Sequence, residues 1–346
     1  MSTSTSASML TNAAPHEVSR LPLVSIVMPI RNEADHIERA LDAIDAQAYP
    51  PEQIEILVVD GGSTDGTLEA LRVRAGRDDR IRVLGGPGIN TPLAMNVGIE
   101  ASSAPFIAKV DGHGWINEEF LRTAVGSLTS DEGLGCVGGR IEPDAVTAVE
   151  QAIGYARFSV LGVGAGVYTL AEHPQLTDTV QCGVYRRVAL EEAGGFDPAL
   201  PFGEDEEANY RLRSAGWRIL MDPAMRFVYR VRPSIAALFR QYFRYGRARV
   251  AVVRKHPGFF RPKHAVPAAV VVALFASLAA WFAGAPWPAL VPWIVYGVIV
   301  SVGSVVLAVR HRFWRPDLIA VSLLALHGGY GLGTLRGLAD APRSGS

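Results

Sequence analysis

Between Lys263 and Arg310 the chain contains no Lys, Arg, Asp or Glu. A core helix of a water-soluble domain needs only an apolar stripe and keeps charge on its outer face, so a run this long implies a bilayer. Pro286-Trp287-Pro288 breaks it into two spans, about 265–284 and 289–309, each near the ~20 residues that cross a membrane. A third apolar segment, 318–335, carries His327 and several glycines and reads either as a further span or as a re-entrant piece against the others. The loop between the first two spans is uncharged, whereas 254–263 and 310–315 are basic, which places everything before the run in the cytoplasm, as a multi-pass protein of the inner membrane.

Whatever precedes the run must be a body of its own. The 346 residues carry a net charge of -1, yet eleven Lys and Arg and no acid fall between Met225 and Lys263. A basic block beside apolar segments points to a membrane surface and away from nucleic acid. Within it, 234–253 places Phe239 and Phe243 on one face and Arg240, Arg244 and Arg247 on another, the pattern of a helix in a headgroup layer. The divisions that follow are a tail over 1–20, a catalytic domain over 21–233, an interfacial segment over 234–263, a membrane region over 264–335 and a tail over 336–346. The two cysteines, Cys136 and Cys182, have no metal-ligand spacing and read as small core residues.

The domain over 21–233 alternates strand and helix. Apolar, β-branched runs at 21–30, 54–59, 81–84 and 106–110 are separated by helical patterns at 36–48, 67–74 and 91–100, which predicts parallel βαβ units. Pro29 is expected to end the pairing of the first strand, and Asp222-Pro223 that of a late strand over 216–221. The Gly- and Ala-rich stretch 147–176 lacks a clean period; the resemblance given below implies acceptor-side loops there.

Chemistry gathers where strands end, because the carboxyl edge of an open α/β sheet is where ligands bind. The strand over 106–110 stops at Asp111-Gly112-His113, a carboxylate and an imidazole flanking a glycine, suited to a divalent cation on a diphosphate. The second strand stops at Asp60, followed by Gly61, Gly62, Ser63 and Asp65. Asp60 reads as ligand-facing because nothing obvious pairs with it; Asp65 fits a helix cap. Four acids, Glu204-Asp205-Glu206-Glu207, open a helix, where its dipole favours them.

VSIVMPIRNE, VVDGGSTDGT, NVGIEAS, KVDGHGW and GEDEEANYRLRSAGWRI, in that order, resemble the family-2 inverting glycosyltransferases of GT-A fold, and more narrowly the membrane-anchored glucosyltransferases of succinoglycan-type exopolysaccharide synthesis. The resemblance implies a mixed, mainly parallel α/β sheet flanked by helices, plus C-terminal transmembrane helices. It implies that Glu33 and Asp60 contact the base and ribose of a nucleotide sugar, with Pro29, Arg31, Ser63 and Asp65 as further donor contacts. Asp111, and His113 where the family has a second carboxylate, would hold Mn²⁺ or Mg²⁺. Asp205 would be the general base, with Glu204 beside it. Gln241 and Arg244, in a sequence similar to the QxxRW signature with Tyr245 for Trp, would line the acceptor and diphosphate site. The expected partners are UDP-glucose, a polyprenyl-linked glycan and the membrane. A nucleotidyltransferase should show a Gly-rich, basic loop after the first strand, which Pro29-Ile30-Arg31-Asn32 is not, and a non-catalytic membrane scaffold would not need both Asp111 and Asp205.

Overall fold

A computed structural model describes residues 21–162 and 171–340. The tail over 1–20, residues 163–170 of the expected acceptor-side loops, and 341–346 lie outside the described residues.

Strand β1 (Val24–Ile30) is buried at every position, as a strand covered on both faces must be. β2 (Ile54–Asp60), β3 (Ile81–Gly85) and β4 (Phe106–Lys109) lie parallel to it in the order β3-β2-β1-β4. Helices Ile37–Asp45, Thr67–Ala75 and Thr91–Ala101 return the chain between them. Beyond β4 the sheet turns mixed. β8 (Gly183–Arg186) pairs antiparallel with β4 and with β6 (Leu134–Asp144). β9 (Arg218–Arg230) lies parallel to β6, and β5 (Gly114–Ile116) closes the edge against β9. The two-residue β7 (Gln175–Leu176) also pairs with β9.

Three expectations are corrected. Pro29 does not end β1, because it still stands opposite Val59 of β2. Pairing with β4 has stopped by Val27, so the missing N–H costs no ladder bond on that side. Asp222-Pro223 does not end β9 either. The register jumps from Gly139–Asp222 to Arg140–Arg226, so the proline sits in a bulge and the strand runs on. The 147–176 stretch opens with a helix, Ala148–Arg157, started by a Thr147–Glu150 capping box.

At the C-terminus, two helices are long and apolar enough to cross a membrane, Pro286–Arg310 and Pro316–Ala339. The span expected first is a 17-residue apolar helix, Val266–Phe282, at the lower end of the length that a bilayer needs. The segment left open as re-entrant is a continuous helix of 24 residues. Its glycines have a packing reason: a Cβ on Gly329 or Gly333 would meet the Phe239 or Phe243 carbonyl oxygen at 2.7 or 2.1 Å, and one on Gly246 would meet that of Tyr330 at 2.1 Å. Helix Ile235–Lys255 and helix Pro316–Ala339 therefore touch backbone to backbone, through small residues as membrane helices do.

Candidate active site

The carboxyl ends of β1 and β4, helix Glu204–Ser214 and helix Ile235–Lys255 surround a cavity of about 1480 Å³. At its inner end stands Lys109, 1% exposed. Its ammonium donates to both carboxylate oxygens of Asp205 at 2.7 Å and to Glu204 Oε1 at 3.0 Å, and lies 3.8 Å from Asp111 Oδ1. Burial alone would lower the Lys109 pKa; Asp205, Asp111 and Glu204 outweigh it and keep the ammonium charged, well above its ordinary value. For Asp205, burial raises the pKa above the usual carboxylate range, Lys109 opposes, and Glu204 and Asp111 add to the rise. The result is a carboxylate of increased proton affinity facing a cavity, the property a general base requires.

Asp111 extends from the end of β4 into the same cavity, and among the described residues its carboxylate meets only Lys109. His113 Nδ1 donates to Glu33 Oε1 at 2.9 Å, which leaves Nε2 for another partner. Burial would push this imidazole down; the Glu33 hydrogen bond and the Asp111 charge bring its pKa up to about 9. Gly112 is what allows this closeness, because a Cβ there would meet Ile30 Cγ2 at 2.8 Å and Glu33 Cγ at 3.0 Å. A carboxylate that orients a histidine by one nitrogen while the other remains available is how metal-ligating histidines are held. No three His, Cys, Asp or Glu side chains cluster into a closed metal site among the described residues. A cation here would take one or two protein ligands and the rest from phosphate and water, as Mg²⁺ and similar ions do. The donor set fits that arrangement, and it turns Glu33 toward His113.

The Asp60 loop differs from its expected form. Asp60 is buried, and its carboxylate accepts from Gly62 N at 2.9 Å, Ser63 N at 3.0 Å and Ser63 Oγ at 2.5 Å. The premise that it lacks a partner is thus overturned by its own loop, whose backbone N–H groups turn back onto it. Asp65 accepts from Thr67 Oγ1 at 2.5 Å and from Ala34 N at 3.2 Å, and Ser63 Oγ accepts from Asn32 N at 2.8 Å. These bonds tie the loop after β2 to the loop after β1. Pro29, Arg31 and Glu33 line the cavity; Asp60, Ser63 and Asp65 brace it from behind.

Toward the C-terminal apolar helices the cavity wall is aromatic and cationic. Gln241 Nε2 donates to the Tyr229 hydroxyl at 3.0 Å and the Tyr245 hydroxyl at 3.1 Å. Arg157 hydrogen-bonds the same phenol and lies 4.5 Å from its ring centre. Burial would raise the Tyr229 pKa; Arg157, Arg232 and His113 overcome it and bring it down to about 7. Arg244 is exposed at the cavity mouth, 5.6 Å from the Phe202 ring.

The four acids divide their work. Glu204 and Asp205 turn to Lys109. Glu206 pairs with Arg249 of helix Ile235–Lys255. Glu207, fully buried, accepts from Arg211 at 2.6 Å and meets His256 Nε2 at 2.7 Å. A helix dipole account does not cover the last two, which fasten one helix to another. Sequence reasoning passed over Lys109, Arg157 and Tyr229. For Lys109 a signal exists, since a lysine inside a strand buried on both faces must meet a carboxylate.

The glycosyl transferase family 2 profile matches residues 25–194, and that of glycosyl transferase family 21 matches residues 116–324. The chain is 29% identical to the succinoglycan biosynthesis protein ExoA of Rhizobium meliloti over 92% of its own length and 96% of that protein. It is 31% identical to the glycosyltransferase AglE of Haloferax volcanii over 68% of its length and 75% of that protein. In fold it is similar to the mannosyltransferase PcManGT of Pyrobaculum calidifontis, solved with GDP-Man and Mn²⁺, with a TM-score of 0.61 at 21% identity over 92% of this chain and 88% of that one.

Proposed function

Since the chain belongs to glycosyltransferase family 2, we propose that it moves glucose from UDP-glucose to a polyprenyl-linked glycan, in the assembly of an exopolysaccharide or other surface glycan. One observation carries this reading: a single cavity reaches from Asp111, Glu204 and Asp205 to the apolar side chains Val266, Val270 and Ile299 of the C-terminal helices. A water-soluble acceptor would need no such continuation, whereas a sugar on a lipid carrier has one polar and one apolar end.

In this reading Asp205 takes the proton of the acceptor hydroxyl as its oxygen attacks the anomeric carbon, and the bond to the departing nucleoside diphosphate breaks in the same displacement. Inversion of an α-linked donor gives a β-linkage. Lys109 holds Glu204 and Asp205 in place, so the base meets the acceptor in one orientation. A divalent cation, Mn²⁺ or Mg²⁺, held by Asp111 and His113 would supply positive charge to the leaving diphosphate.

The C-terminal helices would anchor this body to the inner face of the cytoplasmic membrane. Trp281 and Trp287 stand at one end of the apolar helices and Trp314 at the other, all exposed, where indoles settle at both membrane surfaces. Arg310, Arg312 and Arg315 accompany Trp314, which supports a cytoplasmic side for that end. The test is transfer of label from a panel of UDP-, GDP- and dTDP-sugars into lipid-linked acceptors by membranes containing the full chain. UDP-glucose should label the lipid fraction, and the Asp205→Asn variant should not. Another donor outperforming UDP-glucose would overturn the donor assignment, and no labelled lipid with any donor would overturn the acceptor.

A further inference from the structure

Two cations are buried among the described residues, Lys109 and Arg157. Lys109 has three carboxylates beside it, and the half-buried Arg249 and Arg211 pair with Glu206 and Glu207. Arg157 differs. It is 6% exposed, and among the described residues it meets no carboxylate: it hydrogen-bonds the Tyr229 phenol, feels those of Tyr242 and Tyr245, and packs on the rings of Tyr229 and Phe158. Arg232, on the same cavity wall, meets none either. A buried guanidinium with phenols and no carboxylate to answer its charge is costly, and an anion arriving with a ligand would offset that cost.

Its position says which ligand. Arg157 ends the helix Ala148–Arg157, which rests on the C-terminal helices: Tyr155 stacks on His311 at 4.1 Å, and His327 Nε2 donates to the Leu161 carbonyl at 2.7 Å. The Leu161 side chain sits where a Cβ on Gly303 would otherwise be, 2.2 Å from it. Arg157 therefore stands where the cavity passes from the catalytic body to the apolar helices. On the inward side, Gln241 is 7% exposed and its Oε1 has no hydrogen-bond partner among the described residues, while its Nε2 is tied to Tyr229 and Tyr245. On the outward side the walls are Val266, Val270, Tyr296 and Ile299. Read outward, the order is hydroxyl acceptor, guanidinium, hydrocarbon.

We propose that Arg157 and Arg232 seat the phosphoryl groups of the lipid-linked acceptor, with a glycan hydroxyl donating to Gln241 Oε1 and the isoprenoid leaving between helices Val266–Phe282 and Pro286–Arg310. The assignment rests on the lipid-acceptor reading given above. It separates two anion seats, since the donor diphosphate lies at Asp111 and the acceptor phosphate at Arg157. A guanidinium suits the second because it grips phosphate oxygens in pairs without a metal.

The experiment uses the full chain in detergent and three probes: undecaprenyl diphosphate, undecaprenol, and UDP with Mn²⁺. Wild type should bind the diphosphate lipid much more tightly than the alcohol. Arg157→Met and Arg232→Met should each weaken the diphosphate lipid by about 30-fold or more while leaving the alcohol and Mn²⁺–UDP unchanged. Arg157→Lys, which keeps the charge and loses the fork, should fall between and serves if Arg157→Met does not fold. Unchanged binding of the diphosphate lipid in folded Arg157 variants overturns the seat. Loss of Mn²⁺–UDP by the same factor also overturns it, assigning the arginine to the donor. The two readings fail separately: wild type that binds the diphosphate lipid but transfers no sugar to lipid acceptors refutes the function and keeps the seat, and active transfer with indifferent variants does the reverse.

Discussion

Glu207→Gln should be the most destabilising isosteric change in the acid cluster, although it lies outside the chemistry. The carboxylate is fully buried and takes Arg211 Nε at 2.8 Å, Arg211 Nη2 at 2.6 Å and His256 Nε2 at 2.7 Å. Glutamine preserves the shape but offers one acceptor where three donors converge, and its NH₂ then faces a cation. Removing one member of a buried ion pair costs about 3–5 kcal/mol. For a body of this size each kcal/mol moves Tm by about 2–4 °C. The melting temperature of the full chain in detergent should therefore fall by about 6–20 °C. Glu206→Gln is the internal control: its ion pair with Arg249 is half-buried and should cost about 1 kcal/mol, a few degrees. A Glu207→Gln protein melting within about 2 °C of wild type would refute the reasoning, because the buried carboxylate would then contribute no more than a surface one.

Asp205→Asn should abolish transfer while nucleotide binding stays near wild type, since a base acts on the acceptor; a variant with normal turnover would move the base elsewhere. Asp111→Asn should lose Mn²⁺- or Mg²⁺-dependent binding of UDP, measured by calorimetry, and full activity in EDTA would remove the metal from the mechanism. Lys109→Met should leave Asp205, Glu204 and Asp111 without their buried cation and lower stability by about 3–5 kcal/mol in denaturant titrations. Gly333→Val should force helix Pro316–Ala339 off helix Ile235–Lys255, because a Cβ there lies 2.1 Å from the Phe243 carbonyl oxygen; unchanged protease resistance of the full chain would show that the two helices do not depend on each other.

The strands were legible because burial on both faces leaves an unbroken apolar run, as in Val24–Ile30 and Ile54–Asp60, and a strand end shows itself by the first Asp or Gly. Punctuation by proline was less legible. Pro29 and Pro223 both suggested stops, yet a proline interrupts only the ladder its own N–H would join, and which side that is depends on the neighbours. Partners distant in sequence were not legible at all. Nothing near Asp60 announces that Gly62 and Ser63 will bend back onto it, and nothing near Lys109 names Glu204 and Asp205. The length of the third apolar helix was obscured by its glycines, which break an isolated helix but here let a neighbouring backbone come close.

One helical turn joins the two halves of this molecule. Asp205 faces Lys109 and the cavity, while Glu206 and Glu207, its immediate successors, hold Arg249 and His256 at the far part of helix Ile235–Lys255. That helix lies along Pro316–Ala339 backbone to backbone, and Arg249 Nε also donates to the Tyr330 hydroxyl at 3.2 Å. Successive residues of a helix cannot move independently, because a shift of one carries its neighbours. Any displacement of the apolar helices along their axes must therefore either break the Glu206 and Glu207 pairs or carry Asp205 with it. The first costs a buried ion pair; the second moves the carboxylate within a cavity whose width matters at the scale of a hydrogen bond. The same acids that look redundant as a string thus make the position of the proposed base depend on how the C-terminal apolar helices are seated.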